Sequence, residues 1–131
     1  MKRARLTPSD DIMLARRLDA DALFAERRYT GSVYMAGYAV ERILKAAICR
    51  RRGETYLPRE DETHDLTLLL YRSGLGAALA GSDVGRAFDD LASRWTTSLR
   101  YTGSRGRASE ARKMVEGAAD VAAWVQRQMF R

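Results

Sequence analysis

Cysteine, histidine and proline are nearly absent from this chain: one Cys, one His and two Pro in 131 residues. A lone Cys49 excludes an internal disulfide and a cysteine-built metal site. With one histidine, a transition-metal centre would have to be assembled from carboxylates alone, so no metal and no cofactor is expected. Lysine is scarce too, at Lys2, Lys45 and Lys113, against twenty arginines. No apolar run approaches the length needed to span a bilayer, which removes the membrane from the expected partners. The basic start Met1-Lys2-Arg3-Ala4-Arg5-Leu6 lacks the apolar stretch of a secretory signal, and a cytoplasmic location is expected. Alternating β-branched segments are missing, which argues against a sheet. Gly103 to Gly106 follows no strand and so is no phosphate-cradling loop, and no serine sits in a nucleophile elbow.

The remaining composition, 46% hydrophobic and 31% charged, suits one globular domain over residues 1–131. The net charge of +6 and a pI near 9.9 point toward polyanions. The arginines are scattered, with one tight run at Arg50-Arg51-Arg52, so a solvated basic face is the competing explanation.

Helical signals dominate. Thr7-Pro8-Ser9-Asp10 supplies a cap, a proline at the first helical position and an early acid. Ile12, Ala15, Leu18, Ala22 and Ala25 follow at helical spacing, predicting a first helix to about Arg27. A second helix starts at Thr30-Gly31-Ser32, carries Val33, Ala36/Gly37, Val40, Leu44, Ala47 and Ile48, and stops at Gly53. After a polar loop with the acidic run Glu60-Asp61-Glu62, read as solvated, Thr63 caps a short third helix with Leu66, Leu69 and Leu70. Ser82 caps a fourth helix bearing Val84, Phe88, Leu91, Trp95 and Leu99. The last helix repeats Ala111, Val115, Ala118, Ala122, Val125 and Met129. The predicted fold is all-α: an antiparallel four-helix bundle with an additional short helix across one end. Met114, Val121 and Trp124 form a second apolar line on the last helix, which implies either self-association or a broad core face.

Tyr34, Tyr38, Glu41 and Lys45 form a polar ridge beside the apolar stripe of the second helix. If the ridge is buried each charge needs a partner, and the tyrosine hydroxyls are candidates. The segment Tyr38, Ala39, Glu41, Leu44, Lys45, together with Thr63-His64-Asp65-Leu66 and the Trp95/Arg100-Tyr101 region, resembles the HEPN domains. These are small helical bundles found in prokaryotic nucleotidyltransferase partners, toxin–antitoxin pairs and RNases. The resemblance implies a homodimeric binding module in a toxin–antitoxin or stress-response system. Its partner would be a separate nucleotidyltransferase or antitoxin protein, a nucleotide, or RNA. It makes Tyr38, Glu41, Lys45, Arg100 and Tyr101 candidate binding residues, with a purely structural role for them as the alternative. A third reading is an adaptor with no nucleic-acid contact.

Catalytic HEPN proteins carry an arginine followed after four to six residues by a histidine, and Arg59 with His64 meets that spacing. The chemistry would be metal-independent: a 2′-hydroxyl attacks the adjacent phosphate, histidine moves protons and arginine neutralises developing charge. One histidine cannot readily serve as both acid and base, so this reading requires two copies of His64 across a homodimer cleft. Against it, the three acids between Arg59 and His64 would repel a phosphate. A local role for His64 at the start of the third helix is the plainer account.

Overall fold

The computed structural model describes residues 11–95 and 107–129. Six α-helices are found among them: α1 (Asp11–Ala25), α2 (Tyr29–Arg52), α3 (Leu66–Ser73), α4 (Gly76–Ala80), α5 (Gly85–Arg94) and α6 (Ala108–Met129). A 3₁₀ turn (Arg59–Asp61) lies between α2 and α3, and no extended strand occurs among the described residues. The all-α bundle expected from the sequence is what forms. Helix α2 is its axis, packed against α1, α3 and α6, while α5 packs on α6.

Helix α2 occupies the centre because almost every residue from Ala36 to Cys49 can be covered. Val40, Ile43, Leu44 and Ile48 are at most 1% exposed. Burying four such side chains contributes roughly 6–12 kcal/mol before entropy is counted. The helix stops where the sequence places Gly53, which takes the left-handed φ of 66° and returns its N–H to Arg50 O.

A glycine inside this helix has a different purpose. A Cβ on Gly37 would lie 2.2 Å from Trp95 Nε1, so only glycine lets the indole rest on the α2 backbone. Trp95 Nε1 donates to Tyr34 O at 3.0 Å, and the Tyr34 ring stacks on the indole at 6.0 Å. Trp95 belongs to the core as expected but not to a helix, because α5 ends at Arg94 and Trp95 is extended. Leu99 and the Thr7–Asp10 cap region lie outside the described residues.

Three expectations need correction, and one open alternative is decided. Helix α1 stops at Ala25, with Arg27 at φ 61°, and its inner face is Met13 and Ala20, not the stripe that starts at Ile12. Leu18 is 59% exposed and Ile12 42%, because the alanines of the predicted stripe add too little apolar area to decide which side faces inward. Of the two readings of the second apolar line of α6, the broad core face is the one that forms: Met114, Val121 and Trp124 are buried within their own chain. Thr63 does not cap α3. Asp65 does, accepting from Leu68 N at 3.1 Å, while Thr63 Oγ1 accepts from Asp65 N. The short α4 was not anticipated, and α5 begins at Gly85, with Ser82 bonded instead to Leu79 O and Val84 N.

Candidate functional site: a buried carboxylate holding an exposed histidine

Glu41 is 2% exposed in the middle of α2. A carboxylate taken so far from water needs charge and hydrogen-bond partners. One is local: Lys45, one turn on, places Nζ 3.0 Å from Glu41 Oε2. The other comes from the loop before α3, where His64 Nδ1 lies 2.7 Å from Glu41 Oε1. An ionised carboxylate only accepts, so Nδ1 carries the proton and donates. The second ring nitrogen, Nε2, is then left for other partners. The His64 side chain is 57% exposed although its inner edge is anchored in the core.

The polar ridge of α2 therefore splits in two. Its charged half, Glu41 and Lys45, turns to His64. Its aromatic half packs elsewhere: Tyr34 and Tyr38 rings are 6.4 Å apart, and Arg16 lies over the Tyr38 ring at 5.9 Å. The tyrosine hydroxyls do not serve Glu41; Lys45 and His64 do. Arg100 and Tyr101 lie outside the described residues. Arg59 is exposed at the start of the 3₁₀ turn, and no contact joins its side chain to His64 among the described residues.

The acidic run between Arg59 and His64 is not the solvated loop expected. Asp61 is fully buried, with Arg72 Nε 3.1 Å from Oδ1 and Arg52 Nη2 3.6 Å from Oδ2. These are ion-pair approaches without hydrogen-bond geometry. Glu60 stays exposed, with Arg52 Nη1 3.6 Å from Oε1. Its own backbone N–H, then Arg52 and Arg72, hold the Glu60 carboxyl below its ordinary range. Two of the three acids are thus offset by arginine, which weakens the repulsion a phosphate would meet here. Sequence reasoning missed Arg52, Asp61 and Arg72 as a unit. The available signal was an acid just after Pro58, downstream of the arginines that end α2.

A model of the HEPN domain matches residues 15–128. This chain belongs to the HEPN domain family. No curated protein and no solved structure matches it. HEPN domains are often linked to RNA binding or RNase activity. In this HEPN chain the segment of the suspected arginine–histidine motif packs against α2, and its histidine is oriented by an acid of that helix. No helix among the described residues is long and apolar enough to cross a membrane. No group of three or more His, Cys, Asp or Glu is placed to hold a metal ion among the same residues.

Proposed function

We propose that this HEPN domain is a binding module that engages RNA through the face carrying His64, acting as a homodimer in a toxin–antitoxin or stress-response system. The observation that carries the reading is His64 itself. A histidine kept only for helix capping has no need of a buried, lysine-paired carboxylate, and burying that carboxylate costs several kcal/mol unless it is well partnered. Here the arrangement fixes one ring nitrogen of a side chain that is more than half exposed. The chain's net charge of +6 supplies a sequence-independent attraction for a polyanion. Homodimerisation is supported by the outward edge of α1, where Leu14 and Leu18 are 48% and 59% exposed one turn apart.

The second reading is a metal-independent endoribonuclease using Arg59 and His64 across the dimer. It is favoured by the His64–Glu41 bond, which is how a general base is held in one tautomer and direction. Both readings are tested by incubating single-stranded RNA with the protein in EDTA and following binding and cleavage together. Binding lost in His64→Ala with no cleavage by the wild type supports the module. Cleavage lost in both His64→Ala and Arg59→Ala supports the nuclease. A folded dimeric wild type that neither binds nor cuts RNA overturns both and leaves the protein-adaptor reading.

A further inference from the structure

A groove of about 450 Å³ opens between the end of α2 and the α3–α4 corner, lined by Arg51, Arg52, Tyr71, Arg72 and the small residues Gly74, Gly76 and Ala77. Its size lies within the range of small-ligand clefts. None of its lining residues belongs to the Glu41–Lys45–His64 group.

Two of its features are built rather than incidental. The Arg51 guanidinium lies flat on the Gly74 backbone: a Cβ there would meet Nη1, Cζ and Nε at 2.7–3.0 Å. Arg51 Nη1 donates to Arg72 O at 3.2 Å, a neutral acceptor that brings no counter-charge. Arg52 and Arg72 are partly spent on Glu60 and Asp61, leaving Arg51 as the positive surplus of the groove. Beside it stands Tyr71, 78% exposed, the most exposed large apolar side chain among the described residues. Holding an aromatic ring in water on the groove that Arg51 also lines yields nothing for the core. It does present a stacking face and a phosphate ligand side by side.

We propose that this groove binds a nucleotide unit, with its base stacked on Tyr71 and its phosphate on Arg51. The proposal rests on the RNA reading for the source of that unit and adds a contact outside the His64 face. A free nucleotide offers the same chemistry, so the experiment carries both sources.

Binding is measured by fluorescence polarisation of a short labelled single-stranded RNA in EDTA, and by calorimetry with AMP and with inorganic phosphate. The proteins are the wild type, Tyr71→Ala, Tyr71→Phe, Arg51→Gln and His64→Ala, each checked for fold by circular dichroism. Tyr71→Ala and Arg51→Gln are each expected to weaken binding about tenfold, with Tyr71→Phe within about twofold because its ring still stacks. The effect on RNA alone assigns the groove to a strand; the effect on AMP assigns it to a free nucleotide. Tyr71→Ala binding both probes as the wild type does overturns the proposal, as does a wild type that binds neither. If His64→Ala abolishes RNA binding and Tyr71→Ala does not, the groove falls and the His64 face stands. The reverse pattern retires the His64 face and keeps the groove.

Discussion

Glu41 and His64 are 23 residues apart in sequence, yet Oε1 and Nδ1 stand 2.7 Å from each other, one residue at the bundle's centre and the other at its surface. The exposed histidine therefore reports on the core, and the core acid sets how the histidine faces outward.

The two partners should not be equally costly to lose. Glu41→Gln leaves the Lys45 ammonium buried without its counter-charge, and a loss of about 3 kcal/mol is expected in urea denaturation. His64→Ala leaves the Glu41–Lys45 pair intact and removes a half-hydrated group, for an expected loss of about 1 kcal/mol. Equal losses would mean that the lysine is not Glu41's principal partner.

Gly37→Ala tests the seating of Trp95. Helix propensity alone favours alanine by about 1 kcal/mol. The new methyl group would fall 2.2 Å from the indole nitrogen, so the tryptophan must leave or the helix must shift. A net destabilisation of about 1–3 kcal/mol is expected, with a red-shifted tryptophan emission as the indole gains water. A stabilised variant with unchanged emission would contradict the packing described.

Asp61→Asn removes the carboxylate that Arg52 and Arg72 share. Both arginine side chains are about one-third exposed, at 35% and 33%, and can rehydrate. The expected cost is therefore about 1–3 kcal/mol, below that of a fully enclosed pair. If the pairs matter, added salt should narrow the gap between wild type and variant.

Cys49 should resist alkylation in the folded protein. Burial pushes its thiol above the ordinary value of 9.0, with Glu54 and Asp61 adding to the rise against Arg42 and Arg52. The raised value makes the native state hold its proton longer than the unfolded chain does. Its contribution to stability is then complete below the unfolded thiol's pKa and is lost as pH rises from there through the folded value. Iodoacetamide labelling at neutral pH should follow global unfolding, and Cys49→Ala should flatten the alkaline limb of a stability–pH curve. Rapid labelling under native conditions would contradict both.

Helix α2 was legible in the sequence because its signals agree: apolar spacing, a polar ridge and a glycine stop that forms as read. The same reading failed on α1, where alanine-rich and leucine-rich lines compete and only contact with α2 and α6 decides between them. Glu41, Lys45 and His64 were each visible as candidates, and Glu41–Lys45 follows from helical spacing alone. The link from Glu41 to His64 was not visible, since nothing local specifies which loop residue returns to a helix. Asp61 was misread for a related reason. A three-acid run looks hydrophilic, and its burial depends on arginines from two different helices meeting there.

The central position of α2 has a consequence for how such a protein can change. The carboxylate that directs His64 sits among the side chains on which the whole bundle depends, so altering it disturbs folding as well as the histidine's orientation. The 54–65 connection carries no comparable burden except at Leu57, Pro58 and Asp61, which are buried. Substitutions at the exposed Arg59, Glu62 or His64 should therefore disturb the bundle least while leaving the acid beneath unchanged. A bundle wired this way behaves as a fixed socket with a replaceable contact.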